Sequence, residues 1–192
     1  MNKNIILCGV GGQGTVLASR LISDAAMAKD VPVMSAETIG MAQRGGSVFS
    51  HLRMGEGIWS PMIARGEADL ILAFEPGEAV RMLPFLKPGG QMIVSTRPVM
   101  PVTAALGGSA YQPEKMLEYL KQHVRNLRIV DADRALEKAG SPRVLNLVLL
   151  GAAAAGGELG LTQEDLRQAI RTQIPERFHE MNYRALTACG DA

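Results

Sequence analysis

Two glycine-bearing stretches hold the residue types best suited to chemistry. GVGGQG (residues 9–14) stands between an apolar run and a segment of helical periodicity. Gly9, Gly11 and Gly14 fit G-x-G-x-x-G, the spacing by which a strand–turn–helix joint brings backbone N–H groups to a dinucleotide pyrophosphate. In that reading Gly9 permits a tight turn, Gly11 admits an anion to the backbone, and Gly14 lets the helix lie against the strand. The helix N-terminus supplies free N–H groups, and Glu37 could meet a ribose hydroxyl. Glycine also turns a strand into a helix with no ligand at all. Gly12 and Gln13 are not required by the dinucleotide pattern, so the spacing leaves both readings open.

The second stretch, AETIGMAQRGGSVFSH (36–51), is polar and rich in glycine yet contains Ile39, Met41 and Phe49. Arg44 followed by Gly45 and Gly46 places a guanidinium beside bare backbone N–H groups, a combination suited to a carboxylate or phosphate. Gln43 and Ser47 add neutral donors. His51 could titrate near neutrality, although a lone histidine is more often a satisfied, partly buried one. As a whole the segment points to a functional or interface role.

These stretches need a frame. NIILC (4–8) reads as a strand buried on both faces, and apolar residues at helical spacing run from Val16 to Lys29. VPVMSAE (31–37) reads as a second strand and completes a βαβ unit. SVFSHLRM (47–54), ADLILAF (68–74), QMIVST (91–96) and RIVDAD (128–133) are further strand candidates. A helix within EPGEAVRMLPFLKPGG is ended by Pro88-Gly89-Gly90, and Pro113 opens another over 113–124. The last third is helical: a segment over 141–157 with Ser141 as N-cap and Pro142 at N1, one over 162–174 with Thr162 and Asp165 as a capping box, and a final helix. Alternating strands and helices predict a single α/β domain over 1–192, with a mostly parallel sheet and helices on both faces.

Composition narrows the function. With 192 residues, a second independent core is not expected. The 20 basic and 19 acidic residues leave no electrostatic footprint for nucleic acid or an anionic membrane. Cys8 and Cys189 cannot supply the four thiolates of an iron–sulfur cluster, and no metal-ligand spacing occurs. Cys8, inside an apolar run, reads as a small core hydrophobe. MNKN leads directly into a strand-like run without a signal-peptide pattern, and no apolar stretch is long enough to span a bilayer. A cytoplasmic location is the expectation.

GVGGQG together with ETIGMAQRGGSVFSHLRMG resembles the beta subunit of indolepyruvate ferredoxin oxidoreductase and, more broadly, the gamma subunit or domain of the 2-oxoacid:ferredoxin oxidoreductases. ADLILAFEPGEAVRMLPFLKPGG, VLNLVLLGAAAA and NYRAL extend the resemblance over essentially the whole chain. The matched positions are Gly9, Gly11, Gly12, Gln13 and Gly14, then Glu37, Met41, Gln43, Arg44, Gly45, Gly46, Ser47 and His51. The resemblance implies a Rossmann-like subunit that holds no cofactor itself. It implies a larger catalytic partner subunit carrying thiamine diphosphate and iron–sulfur clusters. That enzyme oxidatively decarboxylates a 2-oxoacid to acyl-CoA, with coenzyme A as co-substrate and electrons passed to ferredoxin. No individual catalytic role is carried over to any residue of this chain. Residues 9–14 are then expected to form an anion-binding loop, and Glu37, Thr38, Met41, Gln43, Arg44, Gly45, Gly46, Ser47 and His51 to face substrate, coenzyme A or the partner.

Two other functions fit parts of the pattern. A small NAD-dependent dehydrogenase would use Gly9, Gly11, Gly14 and Glu37, but no Tyr-x-x-x-Lys pair or second substrate domain follows. A purely structural interaction subunit would use the glycines for packing alone. The isolated chain is expected to be inactive, and it could form a homodimer through the surface meant for its partner.

Overall fold

The computed structural model describes residues 1–38, 45–100 and 111–189. Its strands are β1 (Lys3–Val10), β2 (Val33–Thr38), β3 (Ser47–Met54), β4 (Ala68–Ala73), β5 (Leu86–Ser95) and β6 (Asn126–Val130). The α-helices are α1 (Thr15–Met27), α2 (Pro76–Met82), α3 (Pro113–His123), α4 (Ala132–Ala139), α5 (Leu145–Ala155), α6 (Gln163–Gln173) and α7 (His179–Thr187). All six strands join one sheet in the order β2-β3-β1-β4-β5-β6. The pairs β1–β4, β4–β5 and β5–β6 are parallel; β3 runs antiparallel to both of its neighbours.

Side chains alternate across the strands, so the sheet carries two apolar layers. Ile5, Leu7, Leu70, Leu72 and Ile93 pack under α1, α4, α5, α6 and α7, while Ile6, Cys8, Ile71, Met92 and Val94 pack under α2 and α3. Both faces are therefore covered, which explains why β1 and β4 are continuous apolar runs rather than alternating ones. Cys8 is fully buried, as its apolar surroundings in the sequence imply. Helix α5 is buried along most of its length, from Leu145 to Ala153.

The predicted βαβ unit has a different arrangement. β1 and β2 run in the same direction, but β3 lies between them. Sequence neighbours are thus separated by one antiparallel strand. Pro88-Gly89-Gly90 does not end a helix: α2 stops at Met82, a 3₁₀ turn covers Leu83–Phe85, and the tripeptide belongs to β5. There the register with β4 shifts between Ala68 and Leu70, Gly89 takes φ +76°, and a Cβ on Gly90 would lie 2.9 Å from the Ala68 carbonyl oxygen. The glycines accommodate a bulge.

The 128–133 strand expectation is also corrected. β6 ends at Val130, Asp131 caps α4 through Arg134 N, and Gly140 in the left-handed region closes that helix. Ser141 caps a 3₁₀ turn over Pro142–Val144, so α5 begins at Leu145. The Thr162–Asp165 capping box is present on α6, with Asp165 N donating to Thr162 Oγ1 at 3.1 Å and Thr162 N donating to Asp165 Oδ2 at 2.8 Å. Among the described residues, no helix is long and apolar enough to cross a membrane.

Candidate functional site

From β1 the chain travels to β2 and β3 on one side and later returns to β4 on the other. This makes the carboxyl ends of β1 and β4 a topological switch point, the place where open α/β sheets commonly form a crevice. The two glycine segments meet here. Val10 pairs with Ser47, and Gly11 N donates to Gly46 O at 2.9 Å. Thus residues 35 and 37 positions apart become one joint.

The loop uses its polar groups internally. Gln13 Oε1 accepts from Val10 N at 2.8 Å, and Gln13 Nε2 donates to Phe74 O at 3.0 Å. One carboxamide therefore clips the end of β1 to the end of β4 across the switch point. Gly9 lies within β1 rather than in a turn; a Cβ there would sit 2.6 Å from Gln13 Oε1 and 3.0 Å from Phe74 Cβ. Gly12 and Gly14 have φ of +99° and +80°, backbone conformations that favour glycine. Gly14 caps α1 and packs against Asn146 of α5 rather than against the strand; a Cβ would lie 2.7 Å from Asn146 Nδ2. Gly11, expected to admit an anion to the backbone, has its own N–H committed to Gly46 O.

Glu37 is not placed for a ribose. It pairs with Ser50, which pairs with Leu7, so it stands two strands from β1 and level with a residue before the loop. Two strand spacings are about 10 Å. The inserted β3 causes this displacement. Gly45 and Gly46 lead into β3 at the joint, with Gly45 at φ +75°. Thr38 ends β2. Met41, Gln43 and Arg44 lie outside the described residues.

His51 is separated from the joint by four strand positions, about 13 Å along β3. It is 1% exposed, and Ile63 N donates to its Nδ1 at 3.1 Å. A backbone N–H can only donate, so that nitrogen carries no proton. Burial lowers the imidazole pKa, and Phe49 and Phe85 meet the ring edge-on at centroid distances of 5.6 and 5.8 Å. Of the two readings of His51, the geometry fits the satisfied one: within this chain it is a neutral, enclosed histidine that anchors Ile63.

Two carboxylates that the motif search missed complete the joint. Glu75 and Glu78, only 2% and 5% exposed, cap and open α2 directly after β4. Glu75 Oε2 accepts from Glu78 N at 2.9 Å, and Ser47 Oγ donates to Glu78 Oε2 at 2.6 Å. Arg81 Nε lies 3.3 Å from Glu78 Oε1. Glu75 Oε1 has no partner among the described residues. Glu-Pro-Gly-Glu after an apolar strand is a helix-start signal, but local sequence does not reveal that both acids become buried.

Burial raises the Glu75 pKa above 4.5, assisted by the nearby Glu78 charge and opposed by the N–H groups of Glu78, Gly77 and Val99. Burial, with the charges of Glu78 and then Glu75, holds Cys8 well above the ordinary thiol range, so it remains protonated. A phosphate entering this crevice would meet buried acids, which disfavours an anion.

The raised Glu75 pKa has a consequence for stability. Between 4.5 and its folded-state pKa the native protein binds more protons than the unfolded chain, so stability falls as pH rises through that window. At neutral pH the buried carboxylate is destabilising. Glu75→Gln keeps an acceptor for Glu78 N, and its Tm relative to the native chain should rise with pH from below 4.5 to 7. A pH-independent difference between the two melting curves would contradict this account.

A model of the pyruvate ferredoxin/flavodoxin oxidoreductase family matches residues 4–192. The indolepyruvate oxidoreductase subunit IorB of Methanothermobacter thermautotrophicus is 41% identical over 186 residues, covering 96% of this chain and 94% of the relative. The pyruvate/ketoisovalerate oxidoreductases common subunit gamma of Pyrococcus furiosus is 30% identical, covering 92% and 89%. The crystal structure of a keto/oxoacid ferredoxin oxidoreductase gamma subunit from Geobacter sulfurreducens shares the fold with TM-score 0.68, at 22% identity and coverage of 97% and 95%. The chain belongs to the pyruvate ferredoxin/flavodoxin oxidoreductase family, within which it aligns over most of its length with small subunits of 2-oxoacid:ferredoxin oxidoreductases.

Proposed function

We propose that this chain is the cofactor-free small subunit of a thiamine diphosphate-dependent, indolepyruvate-type 2-oxoacid:ferredoxin oxidoreductase. In this reading a larger partner subunit carries thiamine diphosphate and the iron–sulfur clusters. The assembled enzyme converts the 2-oxoacid to acyl-CoA and passes electrons to ferredoxin. The observation that carries the proposal is the interlock of both glycine segments at the switch point, with Gly11 N, Gln13 and Ser47 committed to partners within the chain. A dinucleotide enzyme needs the backbone of this turn open to a pyrophosphate, whereas here Gly11 N and the Gln13 side chain are engaged within the chain. Sequence similarity to the indolepyruvate subunits supports the substrate class.

The chemistry of the donor set agrees with this division. Cys8 is buried and Cys189 is half-buried, and two thiols are too few for a cluster. The contribution of this chain is to hold a boundary: the joint fixes how Gly45 and Gly46 lead into β3 at the face turned to the catalytic partner. Excluding water there protects reactive intermediates in the assembled site. Arg44, outside the described residues, is assigned to an anionic group of coenzyme A or the 2-oxoacid. Arg44→Ala should raise the KM for one of them in the assembled enzyme, and unchanged kinetics would remove that assignment.

The direct test is an anaerobic pull-down of the tagged protein from its native cells. A partner with iron–sulfur absorbance and thiamine-dependent dye reduction driven by indolepyruvate is the expected result. A solitary chain that enhances NADH fluorescence would overturn the proposal in favour of a dehydrogenase.

A further inference from the structure

We propose that the outer edge of β6 is a docking groove for an acidic, extended segment of a partner protein, which adds to the sheet as a seventh strand. β6 ends the sheet order. Val130 O accepts from Thr96 N at 3.0 Å on the β5 side. By the two-residue repeat of a strand, the N–H and C=O groups of Leu127 and Ile129 point away from β5. Such an edge is a template for an added strand.

A cavity of about 200 Å³ opens beside this edge and is lined by Arg128, Arg134 and Lys138, with Asp131 the one carboxylate among the described residues that line it. Asp131 Oδ1 already accepts from Arg134 N as the cap of α4. Arg128 is fixed in place: Nη1 donates to Ala152 O at 2.8 Å and Nη2 to Cys189 O at 3.4 Å. A guanidinium has five N–H donors, so the same group keeps others for a carboxylate. Arg134 and Lys138 are exposed and four residues apart on α4, hence on one helical face. Among the described residues, none of these three cations enters an ion pair.

The two faces of β6 also specify a pattern. Arg128 lies toward the basic cavity, whereas Leu127 and Ile129 are partly buried on the face beneath α3. An added strand alternating acidic and apolar residues would pair carboxylates with the cations and apolar groups with Leu127 and Ile129. A second copy of this chain is disfavoured there, because its own β6 brings the same positive charge. The complement is therefore a different, acidic segment.

The full chain, labelled with nitrogen-15, provides the test. A synthetic, end-capped peptide of about eight residues alternating Glu and Val matches an ordinary strand length. It should shift and protect the Leu127 and Ile129 amides, and high salt should weaken it. The double variant Arg134→Glu/Lys138→Glu alters only exposed side chains and should weaken binding about tenfold. A charge-reversed Lys–Val peptide should not bind. No binding, equal binding of both peptides, or shifts confined to another surface would overturn the proposal. The same shifts with inorganic phosphate alone would also overturn it, by showing a small-anion site. None of these readouts uses enzymatic activity, so the groove and the subunit assignment stand or fall separately.

Discussion

Gly151→Ala should destabilise the fold by about 3 kcal/mol, the upper part of the usual range for overpacking. In an isolated helix the same change would favour folding by about 1 kcal/mol, because alanine is the better helix former. Packing reverses the sign. A Cβ on Gly151 would meet the backbone of Leu186, lying 2.6 Å from its carbonyl carbon and 2.7 Å from its Cα. No rotamer change relieves a clash with backbone, so α7 would have to move off α5. The expected signature is a lower urea midpoint with an unchanged m-value. Native or higher stability would show that α5 and α7 are not held in this contact.

The second large effect is at the joint. Gln13→Leu removes the acceptor for Val10 N and the donor to Phe74 O while retaining similar bulk. Two hydrogen bonds are lost and partly buried backbone groups lose their partners, a cost of about 2–3 kcal/mol. Because the same amide ties β1 to β4, amides near Val10 and Phe74 should also exchange faster in the variant. A loop built for a dinucleotide predicts a different result: stability close to native and a change only in nucleotide affinity. Denaturant melts and an NADH titration on the same variant separate the two. Unchanged stability would refute the structural role assigned to Gln13.

The contrast between these residues shows what local sequence carries. The apolar runs that became β1 and β4 were readable because strands buried on both faces need no alternation. Thr162 and Asp165 were readable because a capping box is completed within four residues. The 132–139 helix is bracketed by Asp131 and Gly140, but the apolar start of RIVDAD favours a strand through those first residues. Pro88-Gly89-Gly90 reads locally as a helix terminator, whereas pairing with the neighbouring strand requires a bulge there. The second motif groups His51 with residues facing substrate, coenzyme A or partner, although a lone histidine more often reads as satisfied; its environment is made by the distant Ile63 and Phe85 together with Phe49.

The sequence by itself determined the α/β class, the single domain, the strand–loop–helix character of residues 4–29 and, through its two glycine motifs, the family. The fold properties follow from length, periodicity, caps and short spacings between near neighbours, and the family follows from the resemblance that the motifs carry. Only the tertiary structure decided that β3 separates β1 from β2, that Glu37 stands away from the loop, and that Glu75 and Glu78 become buried beside Ser47. Gln13 finds Phe74 across 61 positions. Such partners are chosen by strand order, which depends on the burial of whole faces against distant helices. A single side chain in the sequence carries no record of which strand will lie beside it.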